Sequence, residues 1–479
     1  MRRLTERYRF PNSLAKFSSD GDLSQEQGFF RIDDTICFGA CSAQQVASSA
    51  GTRLYDVCQS VRFDGSVVSL PFDPDQIVDN MLLERYVSCG PQSPLQALVH
   101  AAYYAVRPLL GVRIRKHLQR IHLAGWEKTP FPHWPVDVSV ERILEYLLML
   151  MMQSRGLDAI PFIWFWPDGY DSCAIITHDV ETETGRDFCP SLMDLDDACN
   201  LKASFQLVPR DRYRVSPEFL SNIRDRGFEV NVHDLNHDGS LFRKEQTFRE
   251  RAAVINQYGR QFGANGFRSG AMYRNQSWYD ALDFEYDMSV PNSAHLEPQR
   301  GGCGTVLPYF IGRIVELPLT VTQDYALFHF LRDYSMDLWH SQTDMIVRNH
   351  GLISVLVHPD YVIEKSAQNT YVHLLRHLSD LRDSRNVWTT LPGAVNSWWR
   401  TRNGLSLVLK GSGWQIEGVG KERAQVAFAC LKGKSITYRL DNSDPMFARS
   451  TAQLFREVCK NSETTCDMQE PQPETTSPG

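Results

Sequence analysis

The stretch AIITHDVETETG, residues 174–185, begins as an apolar run and then places His178, Asp179 and Glu181 almost side by side. Either a strand stops at the surface here and the charges are solvated, or the strand delivers them to a site. The neighbouring sequence favours delivery, because the pattern recurs. SCAIIT (172–177), KASFQLV (202–208), FEVNV (228–232), GANGFRS (263–269), IVELPLTV (314–321) and LISVLVH (352–358) are short apolar runs. Amphipathic stretches such as SPEFLSNIRDRG (216–227) and KEQTFRERAAVINQYGRQFG (244–263) lie between them. Strands alternating with helices predict an α/β unit with a parallel sheet from about residue 161. In such sheets and barrels chemistry collects at the carboxyl ends of the strands.

Those ends carry reactive groups in succession. SCAIIT leads to His178, Asp179 and Glu181, FEVNV leads to HDLNH with His233 and His237, and GANGF leads to Arg268. IVELPLTV leads to Asp324, and LISVLV leads to His358, followed by Pro359 and Asp360. His233 and His237 have the i, i+4 spacing that lets two imidazoles face one cation. With 14 histidines in 479 residues, about 0.4 such pairs are expected by chance, so spacing alone is weak. His373 and His377, in YVHLLRHLSDLRD, repeat it inside an amphipathic helix and read as structural.

Metal chemistry would use two histidines and a carboxylate and leave positions open for water and substrate. Asp179 and Glu181 are two apart, so both can project from one strand end, one to bind an ion and the other to take a proton. Arg268 would keep the basic carboxylate ionised, and His358 could protonate a leaving group.

The rest of the chain frames this unit. Its 42% apolar and 22% charged content is that of a globular protein with a sizeable core. The net charge is −7, of which −4 lies in residues 457–479, and nothing suggests a nucleic-acid surface. The one basic cluster, VRIRKHLQR at 112–120, reads as a solvated helix face. The amino terminus has no apolar stretch of the secretory kind, and ILEYLLMLMM (143–152) is too short to span a bilayer and contains Glu145. A cytoplasmic location is expected. Of 11 cysteines, the closest pair, Cys37 and Cys41, lacks a second pair for a zinc knuckle.

Residues 1–28 read as a poorly ordered polar lead-in. Residues 29–160 read as an accessory segment with strands at FFRI, TICF and SVVSLPF. Its helices are expected within 72–86, capped by Asp73 with Pro74 first, and at 94–106, 109–123 and 139–154. The β/α unit spans 161–398, an antiparallel segment of four runs spans 403–441, and a disordered tail spans 455–479. The two β-rich segments border the β/α unit at either end and are expected to pack together.

At the strand ends the sequence resembles the polysaccharide deacetylase (NodB-like) family, carbohydrate esterase family four. The resemblance covers about residues 165–395 and implies a distorted (β/α) barrel that removes acyl groups from sugars with one divalent ion, zinc by expectation. THDVE resembles the first motif, Thr-Phe-Asp-Asp, and places Asp179 on the catalytic base. The next position, a metal ligand in the family, is Val180, and Glu181 is the candidate ligand, as in branches with Asp-x-Glu. HDLNH resembles the His-Ser/Thr-x-x-His motif, with Asp234 replacing the hydroxyl residue and His233 and His237 as ligands. GFRSGAMYRN places Arg268 on the third motif, without its usual proline, and VLVHPDY places His358 as general acid. Asp324 is the candidate to orient His358, with Asp337 beside Trp339 as the second choice. FIWFWPDG, YDMSVPN, GTVLPYF and VELPLTVTQDYALF resemble a bacterial branch of the family.

The resemblance implies a hydrolase acting on carbon–nitrogen bonds other than peptide bonds. A water activated at the ion and deprotonated by Asp179 would attack the acetyl carbonyl, and His358 would protonate the departing sugar amine. A carbohydrate partner is implied, a cytoplasmic precursor more readily than an external polymer, and the oligomeric state is not implied. Two other readings remain open: a metal-independent amide hydrolase on the same fold, and a non-catalytic carbohydrate-binding scaffold.

Overall fold

The computed structural model describes residues 1–440 except 12–13, 15–16, 20–22, 43–45, 90–122, 124 and 412. The helices expected at 94–106 and 109–123, the basic cluster at 112–120 and the tail at 455–479 therefore lie outside the described residues.

The strands, in chain order, begin with β1 (Phe17–Ser19), β2 (Gly28–Ile32), β3 (Thr35–Gly39), β4 (Arg62–Asp64), β5 (Val67–Leu70) and β6 (Ala159–Ile163). The barrel strands follow: β7 (Ser172–Val180), β8 (Ala203–Leu207), β9 (Glu229–His233), β10 (Gly266–Arg268), β11 (Tyr286–Asp287), β12 (Tyr309–Ile311), β13 (Ile314–Glu316), β14 (Leu352–Leu356) and β15 (Val387–Thr389). The last four are β16 (Ser406–Lys410), β17 (Gly413–Glu417), β18 (Val426–Lys432) and β19 (Ser435–Leu440).

The central sheet runs β12-β13-β11-β10-β9-β8-β7-β14, with β15 also on β7. All its pairings are parallel except β12 with β13. Beyond β13 the chain reaches back to the other edge: Val321 N donates to Ser354 O at 3.3 Å, and Ser354 N to Thr320 Oγ1 at 2.9 Å. The result is a distorted (β/α) barrel.

Local sequence explains why each strand stops where it does. β7 ends because Thr182 caps the next helix, Glu183–Ala198, its Oγ1 accepting from Gly185 N at 3.0 Å. Ser216 caps Pro217–Asp225, with Pro217 at the first position, and Gly263, at φ 56°, closes Glu245–Phe262. Alternation along β7 then sorts its side chains. Ala174, Ile176 and Val180 join the core between sheet and helices. Cys173 and Ile175 point the other way and join a second core shared with the accessory segments, including Phe162, Trp398 and Trp399. Above them, on this inner face, stand Thr177 and Asp179.

The accessory segments depart from expectation in two places. Arg2–Tyr8, inside the expected lead-in, is a helix with Leu4 and Tyr8 fully buried. Asp75 accepts from Arg2 N and Arg3 N at 2.9 Å each, and Asp79 pairs with the side chains of both arginines, partners that a local reading cannot see. β6 pairs with β18 rather than entering the barrel, so the C-terminal segment is two hairpins, β16–β17 and β18–β19, with β6 on the second. Among the described residues no strand of 29–72 pairs with one of 403–440, but Phe29, Phe30, Val68 and Leu70 share one core with Leu407, Trp414, Ala427 and Phe428. Helix Ser139–Arg155 touches β3 and β5 of the first and β19 of the second. Cys37 and Cys41 are buried free thiols, and no described helix is long and apolar enough to cross a membrane.

Candidate active site

The end of β7 turns two carboxylates to the inner face of the barrel. Asp179, 2% exposed, accepts from Arg268 Nη1 at 2.9 Å, and its other oxygen lies 3.6 Å from His233 Nε2. Burial pushes the Asp179 carboxyl up, but Arg268, His233 and His358 outweigh it and hold the group below its ordinary range. Arg268 is itself fixed: Nη1 also donates to Thr177 Oγ1 at 2.8 Å, and Nε donates to Met288 O at 2.9 Å. Thr177, two residues before the base, is a site residue that sequence reasoning did not single out, although the period of two placed it on this face.

Glu181 reaches the histidines. Its Oε1 lies 2.8 Å from His237 Nε2, 3.6 Å from His233 Nε2 and 3.5 Å from His358 Nε2. Burial raises the Glu181 carboxyl, and the imidazoles of His237, His233 and His358 more than reverse this, leaving it well below its usual value. Val180 lies in the sheet–helix core, fully buried, so this strand cannot turn position 180 to the site.

His233 and His237 do not sit on a helical turn. His233 ends β9, and Asp234 and His237 both adopt left-handed φ values, 53° and 54°, which bring the second ring round to the first, 5.0 Å away between centroids. His233 Nδ1 lies 3.2 Å from Arg268 O, which makes that nitrogen a donor and turns Nε2 toward the site. Arg212 donates to the carbonyls of Asn236 and His237 at 3.1 and 2.6 Å and holds the loop. Asp234, the departure from the second motif, accepts from Leu235 N and, across the site, from Gly270 N at 3.2 Å. Gly270 must lack a side chain, since a Cβ there would meet Asp234 Oδ2 at 2.5 Å and His237 Cδ2 at 2.8 Å.

Across the site His358 Nδ1 pairs with Asp324 Oδ1 at 2.7 Å, and His358 N donates to Asp324 Oδ2 at 2.7 Å. This leaves Nε2 towards Glu181. Burial lowers the imidazolium's pKa, but Asp324, then Glu181, raise it well above the ordinary histidine value. Asp324 therefore holds the role of partner to His358, and Asp337, exposed at the start of helix Asp337–Arg348, does not.

His178, beside Asp179 in sequence, faces the opposite way. Its ring nitrogens meet Val357 O at 3.0 Å and Asp196 Oδ2 at 3.2 Å in a fully buried network with Tyr371. His373 and His377 lie on helix Lys365–Ser384, where His377 Nε2 meets Thr343 Oγ1 at 2.9 Å.

The donor set suits a divalent ion. One ligand atom each from Glu181, His233 and His237 lies within 4.8 Å of the others, the one such group among the described residues. Both Nε2 atoms are buried without a hydrogen bond, His237 Nε2 being close to Glu181 but not in hydrogen-bonding alignment. Two orphaned imidazole nitrogens beside an ionised carboxylate are what a two-His, one-carboxylate site presents before a cation.

No protein-family model and no curated protein sequence matches the chain. Solved structures do. A protein from Mycobacterium smegmatis, described by assignment only as a polysaccharide deacetylase, is 18% identical with a TM-score of 0.41, over 52% of this chain and 97% of that one. An allantoinase is 12% identical with a TM-score of 0.39, over 49% and 92%. A family 4 acetyl xylan esterase from Clostridium thermocellum, solved with cobalt, is 13% identical with a TM-score of 0.30, over 47% and 91%.

Proposed function

We propose that the protein is a metal-dependent hydrolase that removes an acyl group, N-acetyl foremost, from an amino-sugar-containing carbohydrate. The observation that carries this reading is the convergence at the strand ends of Asp179, the donor set Glu181, His233 and His237, and the buried imidazolium of His358, with Asp179 next to His233 and Glu181 next to all three imidazoles. Glu181, His233 and His237 would hold the ion. A bound divalent cation, zinc by chemistry of the donors, supplies a Lewis acid that lowers the pKa of water and polarises a carbonyl.

The chain's own groups divide the proton work. Asp179, kept ionised by Arg268, takes the proton of the attacking water at Oδ2, the oxygen that Arg268 does not occupy. His358, kept protonated by Asp324, gives its Nε2 proton to the amine as the carbon–nitrogen bond breaks. Opposite shifts in one site, a carboxyl pushed down and an imidazole pushed up, are the arrangement that base and acid require. A pure binding scaffold has no use for that pairing. A metal-independent amide hydrolase would keep the pairing but leave the two Nε2 atoms unused.

The test is acetate release from acetylated glucosamine oligomers before and after chelation, with zinc, cobalt or manganese restored. Release that stops with chelator and returns with metal supports the reading. Release indifferent to chelator overturns the metal dependence, and no release from any acyl sugar overturns the activity.

A further inference from the structure

The N-terminal segment and the loop that follows β11 bring together side chains that neither the donor set nor the proton transfers use. Trp126 and Trp134, from the N-terminal segment, meet edge to face with centroids 4.8 Å apart, and their rings lie 6.2 and 5.5 Å from that of His295. His295 is buried, while both indoles are partly exposed. Next to them Arg300 Nη1 donates to His295 O at 2.5 Å. The guanidinium is partly exposed, no described carboxylate pairs with it, and burial alone pulls its pKa below the ordinary arginine value. The buried Arg268 and Arg274 each have a carboxylate, Asp179 and Glu84. A partly desolvated cation with no counter-ion among the described residues is costly unless an anion meets it.

Two separate routes fasten this group to the reaction centre. Both oxygens of Glu297, two residues after His295, accept from Gln323 Nε2 at 2.7 and 2.6 Å, and Gln323 precedes the Asp324 that holds His358. From the other direction, Pro135 O accepts from Gln342 Nε2 at 3.0 Å, and Gln342 Oε1 accepts from Thr322 N at 3.0 Å. The tryptophans are thereby tied, through side chains, to the loop that positions the general acid.

We propose that Trp126, Trp134 and Arg300 form a substrate subsite on the leaving-group side of the centre, taking a sugar residue that carries a carboxylate or phosphate. This rests on the acyl-sugar reading of the centre. The apolar C–H face of a pyranose lies against the indoles, whose flat area costs little side-chain entropy to present. The anion meets the guanidinium, whose remaining donors match two oxygens at once.

The test titrates three ligands, followed by calorimetry: neutral N,N′-diacetylchitobiose, its 1-phosphate, and the aldonic acid made by oxidising its reducing end. Hydrolysis of each is followed in parallel. Wild type is expected to bind at least one anionic form about tenfold more tightly than the neutral sugar. Whichever form gains identifies the anion. Arg300→Gln should remove that preference alone, and Trp126→Ala/Trp134→Ala should weaken all three ligands. If circular dichroism shows the double variant unfolded, Trp126→Ala alone carries that arm. Equal binding of charged and neutral sugars by wild type, or a preference unchanged by Arg300→Gln, overturns the subsite. Arg300-dependent binding without hydrolysis keeps the subsite and removes the hydrolase reading.

Discussion

His233 and His237 share their spacing with His373 and His377, and little else. The first pair ends a parallel strand, and left-handed residues at 234 and 237 fold the loop so that both Nε2 atoms look toward Glu181. The second pair rides on helix Lys365–Ser384, where His373 is exposed and His377 packs its ring 4.4 Å from that of His340. Their electrostatics diverge accordingly. Burial lowers both His237 and His377, but Glu181 reverses this for His237, whereas the neighbouring His340 pushes His377 further down. A spacing motif becomes a site only when a carboxylate faces it and a strand end delivers it.

That contrast can be broken most severely at the carboxylates. Asp179→Asn should cut kcat by about 10²–10⁴-fold while metal content stays at the wild-type level, because a base needs its charge for proton transfer. Glu181→Gln should instead lower metal affinity by about 100-fold or more, read by competition with a chelating dye. The opposite pattern would exchange the two roles.

The acid can be shifted rather than removed. Asp324 raises the His358 pKa against burial, so in Asp324→Asn the imidazolium loses its proton at a lower pH. A general acid works only while protonated. The alkaline limb of the kcat/KM profile should therefore move to lower pH, and a limb that does not move assigns the acid to another group.

The smallest effect belongs to the second pair. His377→Ala loses the Thr343 hydrogen bond and the contact with His340, which should cost about 1 kcal/mol in urea unfolding and leave turnover unchanged. A loss of activity there would make helix Lys365–Ser384 part of the site.

Much of the barrel is legible because strands buried on both faces read as unbroken apolar runs, each followed by its reactive residue. The period of two along β7 also separates Asp179 and Glu181 from Val180. Other parts depend on distant partners. β6 lies where the β/α unit is expected to begin, yet its partner is β18, more than 250 residues away. Helix Arg2–Tyr8 is polar and short, and its anchors are Asp75 and Asp79. β11 has only two residues, Tyr286–Asp287, too few to show a period. Asp324 stands eight residues beyond the end of β13, so the strand-end rule points only loosely to it. Trp126 and Trp134 acquire meaning only when the fold sets them beside His295.

The most direct test of the proposed metal centre is elemental analysis of purified wild type, His233→Ala/His237→Ala and His373→Ala/His377→Ala, each loaded with excess zinc and desalted. One zinc per chain is expected in the wild type and in the second variant, and none in the first. Equal zinc in all three proteins, or its loss only with His373 and His377, would contradict the account.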